Sequence, residues 1–217
     1  MKLKSFGCSF VYGSDLDHKA TQGIKASTQT WPALIAQQCG FDYQCHARPG
    51  VGNMQIFDQV LREIASNINT VFVIAWTWID RHDFQASGKA QWSTLRPTTE
   101  SDLATVYYRD LHSQYRDQLQ SLALISSACN LLKSHGIPYV MTAMDDLLWE
   151  NHWLANKHLA ALQRQIRPCV TAFDGKNFLA WSQSQGHDIG ANLHPMHSAH
   201  QAAAAYILKQ HPWLKEY

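Results

Sequence analysis

The run TVFVIAW at residues 70–76 decides the fold of this chain. It is a continuous stretch of β-branched and aromatic residues, without the alternation of polar and apolar positions that marks a half-buried strand. Runs of this kind are typical of strands buried on both faces, which occur in parallel sheets covered by helices. The sequence therefore predicts a parallel sheet that contains this strand.

Strand-like and helix-like segments alternate on both sides of this run. Further strands are predicted at 2–8, 41–47 and 138–143, and a short one near 169–173 or 177–181. Helices are predicted at 31–39, from residue 53 onward, along the apolar positions between 103 and 132, around 155–166 and at 197–210. Residues 80–100 lose periodicity and are interpreted as a surface excursion. This alternation predicts an α/β fold, a three-layer α/β/α, flavodoxin-like domain with a mainly parallel sheet of about five strands.

Composition excludes several classes of protein. Of the 217 residues, 46% are hydrophobic and 16% charged, which predicts one domain over residues 1–217. The 18 basic and 17 acidic residues give a net charge of +1, so we expect no nucleic-acid partner and no anionic membrane surface. Five scattered cysteines, an odd number without CxxC spacing, predict neither a disulfide framework nor a zinc site, and they favour the cytoplasm.

Polar residues follow the predicted strands where a ligand would bind. Ligands of open parallel sheets bind at the carboxyl ends of the strands, because the loops there converge. Ser9 follows the first strand, Gly50 and Gly52 follow the second, and His194 stands just before the last helix. We expect the serine and the histidine to meet across this edge of the sheet.

These segments resemble the SGNH (GDSL-like) hydrolase superfamily. The sequence SFGCSFVYG at residues 5–13 is similar to its first block, with Cys8 in place of the usual aspartate. RPGVGN at 48–53 is similar to the second block. The resemblance implies that Ser9 is the nucleophile and that the N–H groups of Ser9 and Gly50 form the oxyanion hole.

The last block of the family resembles His194-Pro195, followed by Ala199-His200. The resemblance implies that His194 is the general base. The family's aspartate lies three residues before this histidine, where the chain has Ala191. Candidates for its role are Asp188 and Asn192, or a backbone carbonyl.

The third block of the family carries an asparagine that donates to the oxyanion, whereas the chain has Trp76-Thr77-Trp78 there. We expect Asn53 or Thr77 to supply the missing donor. Loss of one such donor costs about 10²–10³ in rate. Asn53 has a second interpretation as the N-cap of the helix that follows it.

Several residues have structural interpretations that compete with a functional one. Ser9 and His194 are also residue types typical of turns, and Cys8 is expected to pack rather than react. His197 and His200 have a spacing compatible with metal binding, but we expect capping or solvated histidines and no metal. Asp80 and Arg81 suit an ion pair as well as a substrate contact. We expect three tryptophans to form core or pocket wall: Trp76, Trp78 and Trp92. Trp149 and Trp153 are candidates to line an acyl or sugar site.

Taken with the resemblance, the sequence predicts a serine esterase that needs no cofactor. Its substrate would be a small-molecule or glycan ester that carries a small acyl or O-acetyl group. Two alternatives stay open. One is a binding or assembly protein that kept the scaffold and lost turnover, and the other is an acyltransferase that uses the same nucleophile.

Overall fold

A parallel sheet forms the centre of the chain in a computed structural model, which describes residues 1–65, 69–151 and 157–217. The strands of the described segments are β1 (Lys2–Phe6), β2 (Asp42–Cys45), β3 (Thr70–Trp76), β4 (His82–Gln85), β5 (Trp92–Leu95) and β6 (Tyr139–Ala143). The sheet has the order β2-β1-β3-β6, and every pairing in it is parallel.

Strand β3 confirms the prediction from its sequence. All seven of its residues are buried, and it pairs with β1 on one side and β6 on the other. A strand with neighbours on both edges and helices above and below has no solvated face, so each of its positions favours an apolar side chain.

The helices flank this sheet as two separate packs. They are α1 (Ser9–Tyr12), α2 (His18–Thr21), α3 (Trp31–Cys39), α4 (Asn53–Ile64), α5 (Asp102–Val106), α6 (Gln114–Ser134), α7 (Lys157–Ile166), α8 (Phe178–Ser184) and α9 (His197–Gln210). Helix α3 packs against α9, whereas α6 packs against α4 and α7. Right-handed crossovers explain the division, because the step from β1 to β2 runs opposite to the steps from β2 to β3 and from β3 to β6. The predicted three-layer α/β/α fold is confirmed.

The fifth strand is reduced to a single bridge. In the described segments the central sheet has four strands, and beyond β6 only Val170 pairs, with Met141. The alternative position at 177–181 is helical, because the Asn177 side chain caps α8 by accepting from the Ala180 N–H.

Two predicted segments differ from the structure. Residues 80–100 contain the antiparallel hairpin β4–β5, and the long helix predicted over 103–132 is broken. Helix α5 continues into a π-helical turn at Tyr107–Leu111, after which His112 is extended. Ser113 then caps α6 by accepting from the Arg116 N–H. The apolar periodicity runs through the break and does not reveal it.

Cys129 and Cys169 form a disulfide, so the expectation of unpaired cysteines is wrong for these two. They are 40 residues apart in the sequence, and no local spacing pattern announces the pair. Among the described residues, no helix is both long and apolar enough to cross a membrane.

His200 lies on α9 and faces the start of α3, with 1% of its surface exposed. Its Nδ1 accepts a hydrogen bond from the Trp31 backbone N–H at 3.1 Å, so this nitrogen carries no proton and the ring is neutral. Burial lowers the pKa of His200 to about 3. Its role is structural, and no metal-binding cluster occurs among the residues that the structure describes.

The buried His200 predicts a pH-dependent loss of stability. In the unfolded chain this ring binds a proton below about pH 6.5, whereas in the folded chain it does so only near pH 3. The free energy of unfolding therefore falls as the pH decreases from about 6.5 to about 3. Between pH 7 and pH 5 the loss is about 2 kcal/mol. His200→Asn, which keeps an acceptor for Trp31, should lack this part of the pH dependence in urea unfolding. The exposed control His18→Asn should keep it, and equal pH profiles for all three proteins would contradict the assignment.

Candidate active site

Ser9 and His194 meet at the carboxyl edge of the sheet, as predicted. Ser9 is the first residue of α1, directly after β1, and His194 precedes α9. The Ser9 Oγ lies 2.9 Å from the His194 Nε2. A neutral imidazole at this distance can accept the serine proton and so activate the oxygen as a nucleophile.

Asp15 completes the arrangement from the other side of the histidine ring. Its Oδ2 lies 2.7 Å from the His194 Nδ1 and also accepts a hydrogen bond from the Asn192 Nδ2 at 2.9 Å. The hydrogen bond with His194 lowers the pKa of Asp15 below its usual value, so the carboxylate is ionised at neutral pH. The Nδ1 is thereby held as a donor, and the Nε2 is left as the acceptor that faces Ser9.

Asp15 replaces the acid expected near the histidine in sequence. The side chain of Asp188 has no hydrogen bond to His194 in the described chain, and its backbone carbonyl accepts from the Met196 N–H. Asn192 contributes by binding Asp15. Asp15 and His194 are 179 positions apart, so no local motif joins them. The indication that was available is a carboxylate in the turn-rich loop directly after the Ser9 block.

The backbone N–H groups of Ser9 and Gly50 are free to bind a ligand. Both residues line the same cavity, and neither N–H donates to another described residue. Gly50 has a φ of 81°, a conformation that glycine adopts at little cost. The two groups are therefore available to a ligand in this cavity, and their role as oxyanion donors stays a prediction.

Asn53 and Thr77 serve each other instead of the cavity, which corrects both the donor and the cap predictions. The Asn53 Oδ1 accepts from the Thr77 N–H at 2.8 Å, and its Nδ2 donates to the Thr77 carbonyl and to Ser121 Oγ. The N-terminus of α4 is capped by Asp83, whose carboxylate accepts from the N–H groups of Gly52 and Gln55. Asn53 thus fixes the end of β3.

The cavity beside Ser9 has a volume of about 650 Å³. Its walls include Trp78, Asp80, Arg81 and Arg96. Asp80 and Arg81 form no ion pair among the described residues, and burial raises the pKa of Asp80. The cavity therefore borders Ser9 with both charged and apolar side chains in its walls, and it is large enough for an ester with part of a sugar.

The other tryptophans and Cys8 take different places. Trp76 is fully buried in the core, as is Cys8. Trp92 lines a neighbouring groove, and Trp149 lies under the Arg167 guanidinium at 3.9 Å, so neither borders the cavity. Trp153 lies outside the described residues.

Comparison with known proteins identifies the fold. No protein-family model matches the chain, and no curated protein is similar to it in sequence. Its structure is similar to a lipolytic protein of the G-D-S-L family from Veillonella parvula, with a TM-score of 0.53, 10% identity and 97% of each chain covered.

Two esterases are also similar in structure. The acetyl xylan esterase Est2A from Butyrivibrio proteoclasticus has a TM-score of 0.52 and 13% identity over 97% of this chain and 63% of that one. A catalytic mutant of an acetylxylan esterase from Geobacillus stearothermophilus has a TM-score of 0.52 and 12% identity over 96% and 93% of the two chains. The chain has the α/β fold of the SGNH (GDSL-like) hydrolases.

Proposed function

We propose that this protein is a serine esterase that removes small acyl groups, in particular O-acetyl groups, from carbohydrate. The observation that carries the proposal is His194, which contacts Ser9 Oγ through one ring nitrogen and Asp15 through the other. A serine, an imidazole and a carboxylate in this order are the working parts of serine hydrolases on unrelated folds.

Acylation follows from this geometry. Ser9 Oγ attacks the ester carbonyl carbon while its proton moves to His194 Nε2. The carbonyl oxygen becomes an oxyanion that the N–H groups of Ser9 and Gly50 stabilise. The bond between carbon and the alcohol oxygen then breaks, and His194 returns the proton to the leaving alcohol. Asp15 stabilises the imidazolium between these two transfers.

Deacylation repeats the sequence with water. His194 Nε2 takes a proton from a water molecule as its oxygen attacks the acyl carbon of the ester on Ser9. The intermediate collapses, the bond to Ser9 Oγ breaks, and the proton passes back to that oxygen. The products are a carboxylic acid, the alcohol and the unchanged enzyme.

Acetyl groups on carbohydrate are supported by the shared fold and by the cavity. Two of the similar structures are acetylxylan esterases. The cavity of about 650 Å³ leaves room beside Ser9 for a sugar ring as well as an acetyl group.

The proposal is tested by measuring acetate release from acetylated xylo-oligosaccharides and hydrolysis of 4-nitrophenyl acetate. We expect saturable release of acetate from the oligosaccharides. Turnover of neither substrate by the folded protein would overturn the proposal. Transfer of the acetyl group to an added alcohol, in preference to water, would identify an acyltransferase instead.

Binding without turnover is the second candidate. It is favoured by the small number of candidate oxyanion donors. Asn53 and Thr77 bind each other, and neither is among the residues that line the cavity. This candidate predicts that acetylated oligosaccharides bind in calorimetry and that no acetate is released.

A further inference from the structure

The hairpin β4–β5 places an arginine at the candidate oxyanion hole. Arg96 follows β5 directly and lines the cavity beside Ser9. Its Nη1 lies 3.4 Å from the position that a Cβ on Gly50 would occupy. No carboxylate of the described residues is within ion-pair distance of this guanidinium, so its charge is available to a ligand.

The hairpin is fixed to α4 by polar contacts, so Arg96 does not stand on a loose loop. The Asp83 carboxylate on β4 accepts from the Gly52 and Gln55 N–H groups and from the Thr94 hydroxyl. The Trp92 Nε1 donates to Asp58 on α4. This attachment fixes the backbone on which the guanidinium is carried and reduces the entropy lost when a ligand binds.

Arg81 adds a second guanidinium to the cavity wall. Its Nη1 donates to the Val51 carbonyl at 2.8 Å, and its Cζ lies 4.7 Å from the centre of the Trp78 ring. These contacts hold Arg81 at the opening beside the second-block turn.

The charges around the turn at Gly50 are mostly positive. Arg48 and Arg96 line a groove of about 380 Å³ that shares Pro49 and Gly50 with the cavity beside Ser9. Asp80 lines the cavity beside Ser9, where burial raises its pKa, and the Asp83 carboxylate binds the Gly52 N–H of the same turn. Three arginines therefore surround this turn against two carboxylates, and Arg96 is the one of them that lines both openings.

We propose that the site selects esters whose carbohydrate part carries an anionic group, which Arg96 binds through its guanidinium. Planar guanidinium groups pair with carboxylate, phosphate and sulfate oxygens through two parallel hydrogen bonds. The proposal refines the esterase proposed above and rests on it. It narrows the carbohydrate ester proposed above to an ester of an acidic glycan.

The test uses three methyl glycosides that differ only at C6, each acetylated at the same hydroxyl: methyl glucoside, the methyl glycoside of glucuronic acid with a free carboxylate, and methyl glucoside 6-sulfate. We expect kcat/KM to be roughly tenfold higher for an anionic substrate than for the neutral one. The better of the two anionic substrates distinguishes a carboxylate from a sulfate ligand. Arg96→Gln should reduce this preference to near one, mainly through KM, and Arg96→Lys should retain part of it.

Lys89→Gln is the matched control, because Lys89 is exposed on the same hairpin and does not line the cavity. It removes one positive charge and should leave the preference unchanged. Equal kcat/KM for the three substrates in the unmodified protein would overturn the inference. So would an Arg96→Gln variant that loses the same factor on all three, because Arg96 would then act on the reacting ester.

Binding measurements separate this inference from the esterase proposal. If no ester is turned over, methyl glucoside and the methyl glycoside of glucuronic acid, with its free carboxylate, are titrated against the protein and followed by NMR. Tighter binding of the glucuronate that Arg96→Gln abolishes supports the anionic site even without turnover. Equal binding of the two sugars overturns it.

Discussion

Ser9→Ala is expected to reduce kcat/KM for 4-nitrophenyl acetate by about 10³-fold or more. The substitution removes the oxygen that lies 2.9 Å from His194 Nε2, and no covalent intermediate can then form at this position. The N–H groups of Ser9 and Gly50 remain, so residual activity reflects the oxyanion hole and binding alone. Steady-state hydrolysis across a substrate series measures the loss.

Ser14→Ala is the control for this substitution. Ser14 lines the same cavity, and its hydroxyl does not contact His194. We expect it to keep activity within a few-fold. Urea unfolding of the Ser9→Ala protein should show near-native stability, which separates a chemical loss from a folding defect. Full activity in the Ser9→Ala protein would refute the nucleophile.

Asp15→Asn is expected to lower kcat by about 10⁴-fold, the loss that the same change to the triad acid causes in a serine protease. The amide removes the charge that stabilises the imidazolium. It also allows the His194 Nδ1 to become an acceptor, which places the proton on the Nε2 that must receive it from Ser9. The measurement is single-turnover acylation, which isolates the step that needs the base.

Asp188→Asn is the matched control, because Asp188 is the acid that the sequence suggested. The substitution removes the same charge at a position nearer to His194 in the sequence. In the described structure Asp188 has no hydrogen bond to the His194 ring, whose Nδ1 binds Asp15. We expect activity within a few-fold of the unmodified protein. A large loss in Asp188→Asn together with a small one in Asp15→Asn would reverse the assignment.

The parts of the fold that sequence predicts best are those dictated by local patterns. The buried run that became β3, the helix between Thr30 and Gly40 and the last helix have the predicted bounds. The apolar run specifies β3, the proline in the first turn marks the start of the helix after Thr30, and an unbroken helical stretch specifies the last helix. The break before α6 depends on a single cap at Ser113, which a continuous apolar pattern hides.

The candidate site divides in the same way. Ser9, Gly50 and His194 are predictable because each follows or precedes an element at the carboxyl edge of the sheet. Asp15 is not, because its contact with His194 exists only after β1 and the end of the chain come together. The sequence around Asn53 indicates a helix cap, whereas in the folded chain its side chain binds the backbone of Thr77, 24 residues away.

The sequence does not reveal the hairpin β4–β5, because each of its strands has four residues and shows little alternation of polar and apolar side chains. Its attachment to α4 depends on the half-buried carboxylate of Asp83 and on Thr94, both at positions where polar residues indicate a loop in sequence. Arg96 was for the same reason not recognised as part of the cavity.

Labelling with a fluorophosphonate probe tests directly whether Ser9 is an activated nucleophile, because such probes react with an activated serine. We expect one probe per chain in intact mass spectra, mapped by peptide sequencing to Ser9. Labelling should be strongly slowed in Asp15→Asn and in His194→Ala and unchanged in Asp188→Asn. Absence of labelling in the folded protein, or a label on another residue, would contradict the role of Ser9. Equal labelling rates in the Asp15→Asn and unmodified proteins would contradict the role of Asp15.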